Sequence, residues 1–586
     1  MIKIKNYILA ATFGVMAASC SDFLDEQLPQ GTLSEDQVSN PAHVEKQVTS
    51  AYAALITMED INASFSLWNY DVRSDDAYKG GSSPSDGDVF GFLEIEQGVT
   101  TTAWNANDIW VRLYNAISRA NAAIHAVKNC DESFKAKDQR LAELYFIRAY
   151  EHFQLKRLFK NVPLILNPDL TYEQYSTIKN TEFSNDEAWK KIADDLEYAY
   201  NILPETQAEK GRPTKGACAA FLAKVYLYKA YRQDDANTHQ VTSINEEDLK
   251  MVEKFTDPEL YKGGEYHLES DFHNNFRPEE RFENGCESLW AIQYSKNDGT
   301  KYGQLNYGYG LIPPNIAGVI DGGCDFYKPS QNLVNAFRTN DKGLPMLDNF
   351  NNVNYDMATD NADPRLFLTV GMPGLPYMFN PNFIMDESSN WSRSGGQYGY
   401  NVSLKHNVDP ALLEQYLIKG SFWGSSMNRI VFRYADVMLM RAEALIQLNK
   451  NNGEAIKIIN AIRKRANEST QMIANYPTKY GVKIYCKTYP EGVTYSKDEA
   501  MKMLKMERRL EFAMESERFL DLVRWGEAAE VLNAYFAKEM ERCNVYGNPK
   551  DGLIANFTKN KNEYLPIPHE RIAEANGNFK QNIGGW

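Results

Sequence analysis

The chain of 586 residues is short of the residues that most chemistries need. It has eight histidines and seven cysteines. The cysteines are scattered and form no C-x-x-C pair, which argues against a metal knuckle and against a scaffold built on disulfides. Positive charge is also in deficit: 63 Lys and Arg stand against 78 Asp and Glu, for a net charge of −15. A nucleic-acid partner is therefore not expected. There is no G-x-S-x-G, no H-E-x-x-H and no phosphate-binding loop. Apolar runs long enough to cross a bilayer are missing too.

The one sustained apolar run, Tyr7 to Ala18, follows Lys3 and Lys5 and ends in Ala17 and Ala18, just before Ser19 and Cys20. It is too short to span a membrane and has the form of a secretory signal over residues 1–19. Ala-Ala-Ser-Cys at its end fits a lipobox, which makes Cys20 the expected lipidation site and the lipid the only anchor. Each buried methylene of an acyl chain contributes about 0.8 kcal/mol to membrane residence. Cleavage takes Lys3 and Lys5 away and moves the net charge from −15 to −17. Six cysteines then remain besides Cys20: Cys130, Cys218, Cys286, Cys324, Cys486 and Cys543.

Residues 20–40 are polar, contain Pro29 and Gly31, and read as a tether. From 41 to 265 helices dominate. Ile109, Leu113, Ile117, Ala120 and Ile124 recur at steps of three and four, as do Trp189, Ile192, Leu196, Ala199 and Leu203 before the breaker Pro204. Trp110, Leu113 and Ile117 loosely follow the tetratricopeptide pattern, with Tyr114 in place of its glycine. Between 266 and 425 the texture turns to Gly, Pro, Asn and aromatics with only short strand candidates such as Leu289 to Tyr294. Helical patterns return from 426 to 586. The expected fold is mainly α: a scaffold of tetratricopeptide-like helical pairs carrying a long irregular loop region with a few short strands.

Several segments match one family. They are S-D-F-L-D-E-Q-L-P-Q-G after Cys20, Y-K-P-S-Q-N-L-V-N-A-F at 327–337, D-P-R-L at 363–366 and I-V-F-R-Y-A-D-V-M-L-M-R-A-E-A at 430–444. E-R-R-L-E-F-A-M-E-S-E-R-F-L-D-L-V-R-W-G at 507–526, Y-L-P-I-P-H-E-R-I and the terminal Q-N-I-G-G-W complete the set. From Cys20 to Trp586 the chain resembles the SusD/RagB family of outer-membrane nutrient-binding lipoproteins. The resemblance implies one helical unit that sits as a lid on a TonB-dependent, SusC-like outer-membrane transporter, faces the cell exterior of a Gram-negative bacterium, and hands over oligosaccharides, or peptides in some members. By residue type, however, the 507–526 segment is structural: its charges fall at helical spacings suited to mutual pairing, and Met503, Met506, Leu510 and Ala513 supply a buried stripe.

Sugars present apolar C–H faces edged by hydroxyls, so their binding calls for exposed rings beside short polar groups on loops. Aromatic residues are plentiful, with 35 Tyr, 28 Phe and 9 Trp. Four stretches qualify. The first is L-W-N-Y-D-V-R-S-D-D-A-Y-K-G-G, offering Trp68, Tyr70, Asp76 and Tyr78. The second is T-T-T-A-W-N-A-N-D, where Trp104 could stack or pack, and Asn107 could bind or, like Asp108, cap the helix entered at Ile109. Family resemblance puts a stacking tryptophan of some members in this pre-helix loop. The third is Y-G-Q-L-N-Y-G-Y-G with Tyr302, Tyr307 and Tyr309, and the fourth S-S-N-W-S-R-S-G-G-Q-Y-G-Y with Trp391, Arg393 and Tyr398. Trp423 is a weaker candidate, while Trp110, Trp189, Trp290 and Trp525 sit in regular patterns and are read as core. His267 and His273 in E-Y-H-L-E-S-D-F-H are read as a solvated turn, with no metal assigned. Calcium on loop oxygens stays open because acidic loops are common. The expected activity is binding, not catalysis, with no cofactor; a peptide binder and a surface glycoside hydrolase are the competing readings.

Overall fold

The computed structural model describes residues 40–60, 64–299, 303–420, 422–450, 452–542, 546 and 553–586. The signal, Cys20 and the tether expected from the sequence lie outside them. Twelve helices of seven residues or more occur among the described residues. They are α1 (Pro41–Leu55), α2 (Asp88–Glu94), α3 (Trp104–Lys128), α4 (Lys137–Phe159), α5 (Asn185–Ile202) and α6 (Lys215–Ala230). The others are α7 (Glu246–Phe255), α8 (Tyr434–Gln447), α9 (Asn452–Glu468), α10 (Lys497–Phe512), α11 (Arg518–Trp525) and α12 (Ala528–Arg542).

Local sequence sets where these helices begin and end. Ser184 and Glu187 form a capping box at the start of α5, and Ser496 and Glu499 another at the start of α10. Thr214 and Asn245 cap α6 and α7 through their side chains. Leu203 turns extended ahead of Pro204 and closes α5. Packing then pairs neighbours in the chain: α3 lies on α1 and α4, α4 on α5, α5 on α6, α6 on α7, and α8 on α9 and α10. This is the expected helical-pair scaffold. One core cluster fills it with residues such as Ile124, Phe146, Leu196, Phe221 and Trp290, all nearly inaccessible.

The region from 266 to 425 has few regular elements, as its composition implies, but it is not a solvent-facing loop region. Tyr327, Leu333, Phe337, Leu366, Phe367 and Tyr377 are buried, in one cluster with Trp68, Leu113, Leu520 and Phe536 from the two helical parts. Short strands stitch it to distant segments. β1 (Ala77–Gly80) pairs antiparallel with β3 (Phe326–Pro329), with Tyr78 opposite Lys328. β2 (Ser288–Ile292) pairs with β6 (Arg429–Arg433), and β4 (Leu417–Lys419) with β5 (Trp423–Ser425).

The charges of 507–526 are structural, but their partners are mostly elsewhere in the chain and not on the same helix. Arg365 lies 2.8 Å from Asp363, 2.8 Å from Glu507 and 2.9 Å from Glu511, every one of them inaccessible. Arg433 meets Glu511 at 2.6 Å and Glu287 at 2.7 Å, and Arg465 meets Glu287 at 2.8 Å. Arg508 bridges Asp436 and Asp521 at 2.8 Å each. Three of the segments that mark the family thus meet in one buried ionic network. Burial opposes the charge on Glu511, but Arg465, Arg433 and Arg365 outweigh it and hold the carboxyl well below the usual range. The buried stripe of Met503, Met506, Leu510 and Ala513 is as expected. His273 corrects another expectation: it is buried edge-on against Phe379, centroids 4.6 Å apart, and burial depresses its pKa to about 3, while His267 alone is exposed.

Candidate functional site

Of the predicted ligand-binding residues, seven are in the core. Trp68 is stacked on Phe90 with centroids 4.2 Å apart and meets Phe326 edge-on at 5.1 Å. The Tyr70 hydroxyl donates to Gln154 Oε1 at 3.2 Å, and the Tyr78 hydroxyl to Glu539 Oε2 at 2.7 Å. Asp76 accepts from Arg509 Nε at 2.7 Å. Tyr309 packs on His406 at 4.5 Å, Trp391 on Tyr377 at 5.6 Å, and the Tyr398 hydroxyl donates to Glu94 Oε2 at 3.3 Å. The physical reason is common to them. Short alternating aromatic and polar stretches beside glycines look like loop rims, but here strand pairing and the wrapped segment bring a second layer over them. Tyr302 lies outside the described residues.

Trp104, Asn107, Tyr307 and Arg393 remain at the surface. Trp104 opens α3, which begins five residues earlier than the sequence suggests, so neither Asn107 nor Asp108 is its cap; Ala103 holds that position without a side-chain bond. Its indole is 47% exposed. The inner edge rests on Phe90 at 5.8 Å, and Phe90 rests on Trp68, so a column of three rings runs from core to solvent. Such a backing holds the outer ring in place and leaves a face for a ligand. Thr100 and Thr102, exposed and hydrogen-bonded to each other at 3.1 Å, stand just ahead of it. Asn107 is half-buried, and its Oδ1 finds no partner among the described residues.

Arg393 is fastened at the same end of the molecule. Its backbone N–H donates to Asp325 Oδ2 at 2.8 Å, and its guanidinium to Cys324 O at 3.3 Å, with the Asp86 carboxylate 3.5 Å away. Asp86 in turn accepts from the backbone and hydroxyl of Ser82, each at 2.9 Å. Ser394 donates to Gly81 O at 2.6 Å. Gly81, at φ +80°, lies so close to Phe326 that a Cβ would stand 2.5 Å from the ring. That closeness is what glycine permits. Three segments distant in sequence are thereby held beside the aromatic column.

A cleft of about 560 Å³ opens farther along α3, lined by Ile56, Thr57, Asp60, Gln304, Tyr307, Ile418 and Phe422 among others. Tyr307 is half-exposed on its lip, at the start of a single helical turn capped by Asn306, whose Oδ1 accepts from Tyr309 N at 2.9 Å. Phe422 comes from the β4–β5 hairpin and is 46% exposed. The sequence pointed to its neighbour Trp423, whose indole N–H instead donates to Asp321 O at 3.2 Å. Phe422 lies in the turn, outside the paired strands, whereas Trp423 opens β5, so the exposed ring is one residue earlier. Gly420 and Gly424 around the pair were the available signal.

A second cavity, about 50 Å³, is lined by Glu283, Lys405, His406, Arg429 and Glu515 among others. It has room for a few waters. Burial pushes the Glu283 carboxyl up to about 7, against a single backbone hydrogen bond from Asn428 at 2.8 Å. Among the described residues no cluster of three His, Cys, Asp or Glu is disposed to hold a metal, and no helix is long and apolar enough to cross a membrane.

A helical-pair scaffold with a ring-lined outer face defines a class of binding proteins, and comparison gives it a family. The SusD family model matches residues 286–586, and a model described as starch-binding and associating with the outer membrane matches residues 22–227. The chain belongs to the SusD family. SusD-like protein P2 of Formosa agariphila is 24% identical over 600 residues, spanning 100% of this chain and 99% of the relative. The crystal structure of a SusD homologue from Bacteroides thetaiotaomicron superposes with a TM-score of 0.68 at 22% identity, over 94% of this chain and 97% of that one. Surface glycan-binding protein A from Bacteroides thetaiotaomicron, in complex with laminarihexaose, gives 0.59 at 20% identity, over 93% and 99%.

Proposed function

We propose that this chain is a lipid-anchored protein of the outer-membrane surface that binds oligosaccharides on the Trp104 face and passes them to a TonB-dependent transporter. The observation that carries the reading is the Trp104 indole, exposed, flat and braced from behind by Phe90 and Trp68. A ring held still by two others behind it presents a fixed flat face on which a sugar ring can stack. Hydroxyls and a carboxamide beside it are the partners that sugar hydroxyls require. Family membership, and the laminarihexaose held by a relative of the same fold, favour a glycan over a peptide. Binding without turnover is the activity that fits: the carboxyls Glu59, Glu151 and Asp71, which burial pushes upward, are sealed in the core away from the face.

The test is calorimetry of the purified ectodomain against a panel of polysaccharides, repeated with Trp104→Ala. By analogy with base stacking, a lost ring contact is worth about 1 to 3 kcal/mol, so affinity should fall about tenfold or more with folding unchanged. Normal binding by the variant would remove the reading, and so would accumulation of reducing ends.

A further inference from the structure

Lys79, in β1 at the margin of the proposed ligand face, is fully buried. A lysine is almost never buried to that degree unless its charge is met. Its Nζ donates to three backbone carbonyls of the turn that follows: Gly80 O at 3.0 Å, Ser83 O at 3.1 Å and Asp86 O at 2.6 Å. All three donors of the ammonium are used, and the carbonyls converge on it as they would on a bound cation. The rings of Phe326 and Tyr398, their centroids 5.4 and 5.5 Å from Nζ, stand beside it. The same residue also grips α2. Its backbone N–H donates to Glu94 Oε1 at 2.7 Å, and its stem passes so near Gly91 that a Cβ there would stand 3.5 Å from Lys79 Cε. From α2 comes Phe90, on which Trp104 rests, and from the 80–86 turn comes Asp86, which faces Arg393.

We propose that Lys79 is a positioning residue of the ligand face, its ammonium serving as an internal cation around which the 80–86 turn folds and from which Phe90 and Asp86 are held in place behind Trp104 and Arg393. The inference rests on the proposed glycan-binding role and adds what keeps that site formed. Because the cation is a titratable amine, the arrangement depends on pH. Burial pulls the Lys79 pKa down to about 8, opposed by the nearby carboxylates of Glu94, Asp86 and Asp88. The other charged groups packed around it are the Asp325–Lys328 pair of β3, 2.6 Å apart, and Arg393 beside Asp86. Glu94 is in turn held by the hydroxyls of Tyr398 at 3.3 Å and Tyr546 at 3.1 Å. As pH rises through about 8 the ammonium becomes an amine with two donors, one carbonyl loses its partner, and the turn is released.

The test compares the wild-type ectodomain with Lys79→Met, whose side chain has a similar length and no charge. In hydrogen exchange at pH 7 the amides of 81–88 should open at least about tenfold faster in the variant, with those of α6 unchanged. Calorimetry against laminarihexaose, maltohexaose, xylohexaose and mannohexaose, at a temperature where the variant is folded, should show affinity for the bound sugar down about tenfold, the loss expected for a ring contact. The wild type should lose a similar factor between pH 7 and 9.5, while the variant, already without the ammonium, keeps a flat profile. A merely structural role would not remove that step. Equal exchange of 81–88 in the two proteins, normal affinity in Lys79→Met, or a pH step that persists in it would overturn the inference and leave the glycan-binding role standing. Should the variant fail to fold, a wild-type affinity constant from pH 7 to 9.5 would overturn it just as well. Wild-type protein that binds none of the four sugars would count against the glycan reading instead, and exchange of 81–88 alone would then decide the part of Lys79 in the turn.

Discussion

At the scale of single residues, Trp104 and Trp525 show how differently one side chain can serve. Trp525 is 9% exposed and its indole N–H donates to Glu443 Oε1 at 2.9 Å, whereas Trp104 touches the core with one edge only. Truncating a buried tryptophan typically costs about 3 to 5 kcal/mol. Trp525→Ala should accordingly lower the melting temperature, and Trp104→Ala should melt like the parent while losing ligand. Glu283 supplies a second prediction. Its folded pKa of about 7 exceeds the ordinary carboxylate value because burial disfavours its charge. A group raised in this way favours the folded state below its unfolded pKa, and that contribution is lost as pH rises through about 7. Glu283→Gln should flatten the decline in stability between about pH 4.5 and 7, measured by denaturant titration at a series of pH values. An unchanged slope would mean that the carboxyl is not the group responsible.

At the scale of elements, the buried ionic network joins the turn before Arg365, the β6–α8 junction, α9 and α10. Removing one member strands the others without their counter-charge, which for buried pairs costs about 3 to 5 kcal/mol. Arg365→Met leaves Asp363 in that position, while Glu507 keeps Arg463 and Glu511 keeps Arg433 and Arg465, and should destabilise by up to that order. A loss below about 1 kcal/mol would place the energy of this region in its apolar packing. The network also has a pH signature. Glu287, Asp363, Glu511 and Asp521 are held below their ordinary values, so their contribution is present above the unfolded carboxylate pKa and is lost as pH falls through the folded ones. Unfolding on the acid side should therefore set in below about pH 4 and move to higher pH in Arg365→Met.

On the scale of the whole molecule, the core continuous from Trp68 to Phe536 makes the irregular 266–425 segment part of the scaffold. Substitutions in it should behave as core substitutions wherever the ring is buried. The proposed attachment is independent of this core. Cys20→Ala should leave melting unchanged and shift the protein from membrane to soluble fractions, and retention in the membrane without a transporter would refute the anchor. Purification of the wild-type chain from native membranes should bring down a TonB-dependent barrel in stoichiometric amount, while recovery of the chain alone would count against the handover.

Helix positions and the family itself were legible in the sequence, because steps of three and four and the breaker Pro204 act over a few residues; the cap expected at Asn107 or Asp108 was not, since α3 already begins at Trp104. So was the core role of Trp110, Trp189, Trp290 and Trp525, whose neighbours repeat with a regular period. Which aromatic residues face water was not legible. Trp68 and Trp104 both stand among polar residues, and only the pairing of β1 with β3, which brings Phe326 against Trp68, buries one and leaves the other exposed. The same holds for Phe422 and Trp423, one in the turn of a hairpin and the other in its paired strand. Local propensity acts within a turn or two of chain, whereas exposure depends on what packs on top, and here that layer comes from more than two hundred residues away.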